Sequence, residues 1–185
     1  MDSANLFASF FERNLQKDQI IISPAIEIKF FSRPKILKKT TNLIFTSSNG
    51  VKAAGQAVNN NIRAICVGDR TTSLASSLGY SAEKYGDNVE QLIKKLCLSK
   101  KIGGDILHIR GKYTKVDLMN RLREAGFLCH EWEGYDQIAK NLSFQALNAF
   151  KNGEKIILPI FSERSGRLLK DQIPNFDKSH IIAIS

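Results

Sequence analysis

Short segments rich in hydroxyl, glycine and basic residues recur at four places along the chain. They are Thr46-Ser47-Ser48-Asn49-Gly50, Gly68-Asp69-Arg70-Thr71-Thr72, Arg110-Gly111-Lys112-Tyr113-Thr114 and Ser162-Glu163-Arg164-Ser165-Gly166. Each follows a short apolar run and leads toward an amphipathic one, so each sits where a strand hands over to a helix. Helix N-termini at such places offer free N–H groups and a positive dipole end, and open α/β sheets hold their ligands outside the carboxyl ends of the strands. An anion is the natural ligand. A hydroxyl there also serves simply as an N-cap, worth about 1 kcal/mol, but four such turns, two with Arg or Lys beside Gly or Ser, point to a ligand carrying several negative charges. Tyr135, after Gly134 and just past a strand pattern, adds a phenol that could serve in proton chemistry or be an ordinary amphipathic tyrosine at a hinge.

Other chemistries leave no mark. There is no P-loop lysine after a GxxxxG, no GxGxxG, no HExxH and no GxSxG. The histidines, His108, His130 and His180, are too few and too scattered for a metal cluster, and His108 and His130 lie inside strand patterns, where a structural imidazole is the simpler reading. Cys66, Cys97 and Cys129 form no CxxC pair and are odd in number, so they read as reduced core thiols rather than a disulfide framework or zinc knuckle. A bound metal is not expected.

The elements that must carry these turns belong to an ordinary globular chain of 185 residues, 43% hydrophobic and 24% charged. The 27 Lys and Arg against 18 Asp and Glu give a net charge of +9, which favours a polyanionic partner: nucleic acid, acidic lipid or a polycarboxylate. Nucleic acid is set aside because no aromatic-rich RNA motif or recognition helix is present. No apolar run reaches the length of a membrane helix, and Met1-Asp2-Ser3-Ala4-Asn5 is not a secretion signal, so no membrane partner and a cytoplasmic location are expected.

Runs rich in Ile, Val and Phe alternate with amphipathic stretches, the signature of an α/β fold with a parallel sheet. Strands are predicted at 19–22, 42–46, 63–67, 105–109, 127–132, 155–161 and 180–184, and helices at 4–14, 50–58, 72–78, 89–98, 116–125, 144–150 and 165–172. In the fifth helix Leu118, Met119, Leu122 and Ala125 share a face, and Gly126 stops it. Residues 24–31 alternate apolar and charged side chains, as a two-faced ribbon does.

The chain also echoes itself. Ile44-Phe45-Thr46-Ser47-Ser48-Asn49-Gly50 aligns with Pro159-Ile160-Phe161-Ser162-Glu163-Arg164-Ser165, placing Ser47 opposite Ser162, and Ala64-Ile65-Cys66-Val67 is echoed by Ile181-Ile182-Ala183-Ile184. Two similar α/β halves are therefore expected. The half containing both termini looks clipped at each end, which would expose apolar surface and unpaired strand edges.

Taken in order, Pro24-x-Ile26-x-Ile28, Ile44 to Val51, Val67-Gly68-Asp69-Arg70-Thr71, Ile106-Leu107-His108-Ile109-Arg110-Gly111, Gly134-Tyr135 and Phe161-Ser162-x-x-Ser165 resemble the uroporphyrinogen-III synthase family over nearly the whole chain. The resemblance implies two flavodoxin-like parallel-sheet lobes joined by a two-stranded connector. The first lobe, 1–23 and 138–185, is discontinuous and incomplete; the connector is 24–32 and 129–137; the second lobe is 33–128. It places the active site between the lobes and implies a lyase of haem biosynthesis that needs no cofactor. Such an enzyme cyclises linear hydroxymethylbilane to uroporphyrinogen III, losing water and inverting the last pyrrole ring through an azafulvene and a spiro intermediate.

The partner it implies is a small-molecule linear tetrapyrrole, whose many carboxylates suit the basic, hydroxyl-rich turns. Tyr135 matches the family's cleft tyrosine and is the expected catalytic residue, its phenol assisting the departing hydroxyl. Ser47, Ser48, Thr71, Arg110, Gly111, Lys112, Ser162 and Ser165 are the expected substrate-binding residues. The family usually has a threonine two positions after that tyrosine, where this chain has Gln137. The competing reading is a catalytically impaired remnant that binds polycarboxylates without turning them over. A monomer is expected, with association through the surface left by the missing segments as the alternative.

Overall fold

A computed structural model describes residues 3–11, 20–35, 40–59, 61–99, 102–114 and 117–184. In chain order the elements are α1 (Ser3–Phe11), β1 (Ile26–Phe30), β2 (Asn42–Phe45), α2 (Ser48–Ala54), β3 (Arg63–Val67), α3 (Asp69–Ser77), β4 (Ser81–Gly86) and α4 (Val89–Ser99). There follow β5 (Ile106–Gly111), α5 (Leu118–Glu124), β6 (Cys129–Ala139), α6 (Phe144–Lys151), β7 (Ile156–Ile160), α7 (Glu163–Lys170) and β8 (Ser179–Ala183). The fold is mixed α/β with a mostly parallel sheet. The chain divides into two compact units, Met1–Glu27 with Ile138–Ser185, and Ile28–Gln137, so the division falls inside β1 and inside β6.

In the second unit the sheet order is β1-β6-β5-β2-β3-β4. The five strands from β6 to β4 are parallel, Asn42 pairing with Arg63 on one side and Ile106 on the other. All four residues of β2 are buried, which is why Leu43, Ile44 and Phe45 read as an unbroken apolar run: a central parallel strand is covered on both faces. Leu43, Phe45, Leu107 and Ile109 pack with Val51, Ala53 and Ala54 of α2 and Ala75 of α3. Ile44, Ile65 and Ile106 pack on the other face with Leu92, Ile93 and Leu96 of α4 and Leu118, Met119 and Leu122 of α5. The alternation of strand side chains thus splits one sheet into two apolar layers.

β4 was not among the predicted strands. Its sequence, Ser81-Ala82-Glu83-Lys84-Tyr85-Gly86, is that of a protected edge: Glu83 pairs with Arg63 and Lys95, and Lys84 with Asp69 and Asp87. With β4 included, this unit's parallel strands lie third, second, first, fourth, fifth. A flavodoxin-like sheet runs second, first, third, fourth, fifth, and this unit has that arrangement with the chain entering at the third strand, doubly wound about the same reversal. Helix α3 begins three residues earlier than expected because Gly68, at φ 76°, turns the chain straight from β3 into the helix.

The first unit contains α1, α6 and α7 and the parallel pair β7 and β8, connected through α7. Its core joins Ala25, Leu142, Ala146, Phe150, Leu169 and Ile173, with Phe7 meeting Phe161 edge-on at 5.9 Å. The strand predicted at 19–22 is not seen: Gln19 lies outside the described residues, and Ile20 to Ile22 are irregular, with Ile21 packed against this core without a strand ladder. Residues 12–14 of the predicted first helix and residue 116 of the fifth also lie outside the described residues. The internal echo has a structural counterpart, β2-α2-β3 in one unit and β7-α7-β8 in the other. Ser47 and Ser162 occupy the same N-cap position with φ/ψ of −156°/155° and −164°/154°.

Truncating Ile65, fully buried on a strand paired on both sides, should destabilise the protein by about 2–5 kcal/mol. Urea unfolding of Ile65→Ala checks this as a lower midpoint at unchanged slope.

Candidate functional site

From β2 the chain of the second unit adds β3 and then β4 on one side, and afterwards returns to add β5 and β6 on the other. Because α2 and α3 cover one face and α4 and α5 the other, the connections leaving β2 and β5 diverge to opposite faces. Such a reversal, at the carboxyl ends of the two strands, is where open α/β sheets hold ligands. The residues found there are Thr46, Ser47 and Ser48 after β2, and Arg110, Gly111 and Lys112 at and beyond the end of β5.

Tyr135 reaches the same place through an irregularity in β6. Arg110 pairs with Glu133, but the next residue, Gly111, pairs with Tyr135, so Gly134 is the extra residue of a bulge. A bulge re-aims the side chain that follows it. Gly134 itself must be glycine: a Cβ there would lie 2.8 Å from the Ala53 Cβ and 3.0 Å from Ile109. The Tyr135 ring then lies over Gly111, where a Cβ would stand 2.8 Å from the ring, and Phe30 approaches it edge-on at 6.5 Å. Its hydroxyl is 2.9 Å from Ser47 Oγ, and its carbonyl accepts from the Lys112 N–H at 2.9 Å. The side chain is fixed at ring, hydroxyl and backbone, and only 6% of the residue is exposed.

The remaining predicted residues divide. Arg110 is already matched by carboxylates: its guanidinium pairs with Glu131 at 2.5 Å and Glu133 at 3.0 Å, and donates to the carbonyls of Gly111 and Lys112. It braces the end of β5 against β6, and a ligand carboxylate must compete with two glutamates for it. Lys112 is more open, its Nζ 3.8 Å from Asp136. Ser48 is half-buried in the first turn of α2, and Thr71 is buried in α3. Ser162 and Ser165 belong to the other unit, where they close a capping box on α7. The second unit therefore brings Ser47, Gly111, Lys112 and Tyr135 into contact, with Arg110 beside them.

Thr46, Phe30 and His108 also reach this region, although the sequence singles out none of them as a site residue. His108 faces α5 from β5, and its Nε2 lies 3.3 Å from Thr46 Oγ1, while Nδ1 has no hydrogen-bond partner among the described residues. It lines a hollow of about 230 Å³ with Arg110, Thr114, Asp117, Leu118, Met119 and Glu131. Burial drives its pKa down from 6.5 to about 4, so the imidazole is neutral at physiological pH. Only its strand position was legible, because nothing in the sequence distinguishes this buried imidazole from any other. Burial also pushes the Cys66 thiol up to about 11 and raises that of Cys129, so neither is a nucleophile at neutral pH. Among the described residues no group of His, Cys, Asp and Glu could hold a metal ion, and no helix is long and apolar enough to cross a membrane.

The family described as uroporphyrinogen-III synthase HemD matches residues 16–185. Among solved structures, the chain is similar to the uroporphyrinogen-III synthetase of Helicobacter pylori, with a TM-score of 0.66 and 19% identity over 87% of this chain and 76% of that one. A mutant uroporphyrinogen III synthase of the extremely thermophilic bacterium Thermus thermophilus is similar at a TM-score of 0.57 and 13% identity, over 97% of this chain and 79% of that one. No curated protein sequence matches the chain.

The depressed His108 pKa fixes the sign of one pH effect. The unfolded chain takes up the proton near pH 6.5 and the folded one only near 4, so the stability from burying a neutral imidazole is present above 6.5 and lost as pH falls toward 4. Urea unfolding at stepped pH should show His108→Gln lacking an acid-induced loss on the order of 3 kcal/mol that the unsubstituted chain suffers in that window.

Proposed function

The chain belongs to the uroporphyrinogen-III synthase family, and from that premise we propose that it cyclises hydroxymethylbilane to uroporphyrinogen III, a lyase reaction of porphyrin biosynthesis. The observation that supports this most is the phenol of Tyr135, held against Ser47 where the sheet of the second unit reverses its strand order. In this reading Tyr135 is the catalytic residue. Its phenol gives a proton to the departing hydroxyl, which leaves as water and creates an electrophilic azafulvene. The substituted carbon of the last ring attacks this centre, and fragmentation of the resulting spiro intermediate followed by reclosure inverts the ring.

The unguided tetrapyrrole closes on its own without inversion, so the larger task is conformational: the end rings must be held in a near-attack arrangement. That task needs grips on the substrate's carboxylates. Lys112, with its exposed ammonium, and the first-turn amides beside Ser48 are the proposed grips in the second unit, and Thr71 is proposed at the start of α3. Ser162 and Ser165, at the first turn of α7, are proposed for the same task. Arg110 contributes by holding the ends of β5 and β6 together, so that Gly111 stays beneath the phenol. The net charge of +9 draws a polycarboxylate toward the protein before any contact is made.

The decisive experiment supplies the protein with enzymatically generated hydroxymethylbilane and resolves the product isomers. The III isomer should dominate, and Tyr135→Phe should be slowed severalfold or more with its unfolding midpoint little changed. Exclusive formation of the I isomer at the spontaneous rate, with uroporphyrin still bound in calorimetry, would select a binding module in place of a synthase.

A further inference from the structure

Ser47 stands between two groups that together dictate how its hydroxyl is used. On one side the Gly50 N–H donates to Ser47 Oγ at 3.3 Å, capping α2; on the other lies the Tyr135 oxygen at 2.9 Å. If the phenol donated to Ser47, its proton would be committed to Oγ and unavailable to a substrate. If Ser47 donates to the phenol, Oγ accepts once and donates once, and the phenol's own proton is left for a substrate. We infer that Gly50 N–H, Ser47 O–H and Tyr135 O–H form a one-way chain of donors, and that Ser47 is the positioning residue that directs the phenol's proton to the substrate. This rests on the synthase reading for its chemistry and for its direction, and on the two hydrogen bonds for placing the three groups in line.

The chain has a chemical consequence. When the phenol O–H bond breaks and its proton leaves with the substrate hydroxyl as water, the electron pair stays on the Tyr135 oxygen. The Ser47 O–H already points at that oxygen, so the bond becomes charge-assisted at the moment charge develops, without reorganisation. The proton returns to the phenol from the ring carbon that closes the macrocycle, which sheds it on regaining aromaticity; water is the net product. Each donor also polarises the next, so the amide behind Ser47 strengthens the bond in front of it. Ser47 has then no proton to spare for a substrate carboxylate, which separates it from the gripping role the sequence assigned to it.

Three substitutions separate the donor from the cap. Ser47→Ala loses both, Ser47→Thr keeps both, and Ser47→Asp keeps the cap acceptor but has no proton to donate at neutral pH. Measured on uroporphyrinogen III formation, Ser47→Ala should lower kcat severalfold or more, by no more than Tyr135→Phe does, with KM changed less than about twofold, because the bond strengthens only as charge develops. Ser47→Thr should restore kcat, Ser47→Asp should not, and Ser47→Ala should cost nothing further in a Tyr135→Phe background. A raised KM at unchanged kcat, restoration by Asp, or an undiminished loss in the Tyr135→Phe background would each overturn the proposal.

A second readout needs no turnover. The Raman ring doublet of Tyr135, taken as the difference between the chain and its Tyr135→Phe variant, distinguishes a phenol oxygen that accepts from one that only donates. It should report acceptance in the unsubstituted chain and in Ser47→Thr, and lose it in Ser47→Ala. A donor-only signature in the unsubstituted chain reverses the direction of the chain and sinks the proposal, whereas absence of the III isomer with an accepting phenol sinks only the synthase reading.

Discussion

Every feature of the second unit's site follows from one topological event, the return of the chain from β4 across β2 to lay down β5. Had β5 been added beyond β4, the loops after β2 and β5 would lie strands apart, and α2 and α5 would have no reason to part to opposite faces. The reversal makes β2 and β5 neighbours with parallel registers, Phe45 level with Ile109, so that Ser47 and Gly111 leave the sheet side by side. It also makes β5 a two-sided neighbour, which lets β6 pair with it and carry Tyr135 to the same end. Sheet order is set by burial: two apolar layers must be covered at once, and the layers built from α2 with α3 and from α4 with α5 do this.

The charge of the molecule works at two distances with different effects. At long range a surplus of nine positive charges favours any polycarboxylate. At contact range the most conspicuous cation of the site is not spare: Arg110 faces Glu131 and Glu133 across the β5–β6 boundary, with its side chain only 18% exposed. A pair of this kind adds little to stability where water reaches it. Its geometric effect is larger, because Arg110 also ties down the carbonyls of Gly111 and Lys112, the residues against which Tyr135 is seated. Counting basic residues in a motif therefore overstates what is available to a ligand.

The sequence disclosed the alternating α/β plan and the strand-to-helix turns, because those depend on local apolar periodicity and on capping residues. It also disclosed the repeat, including the pairing of Ser47 with Ser162. What escaped it depends on partners distant in the chain. β4 reads as polar because an edge strand exposes its flank, and its charges find Arg63, Asp69 and Lys95 only in the folded sheet. The bulge at Gly134 is invisible for the same reason: Gly134-Tyr135 is an ordinary dipeptide until Ala53 and Gly111 close in on it from α2 and β5. The candidate tyrosine and serine were each named from the sequence, but the bond between them spans 88 residues and belongs to topology alone.

The two capping serines show how a repeated scaffold is put to different uses. Ser47 and Ser162 share backbone angles, follow equivalent strands and accept from the third residue of their helices, so local sequence has solved the same problem twice. They differ in what meets the hydroxyl from outside. Ser162 turns to Ser165, whose own side chain bonds back to the Ser162 amide, and this reciprocal box satisfies the cap within one turn of chain. At the matching position after Ser47 stands Gly50, which has no side chain to reciprocate, and a Cβ there would press to 2.7 Å from the Ile109 carbonyl. Close packing of α2 on β5 thus removes the local partner, and the hydroxyl it releases is the one that Tyr135 takes up. The serine bonded to a phenol and the serine closed into its own capping box are separated by a single glycine, imposed by how near its helix must lie to the sheet.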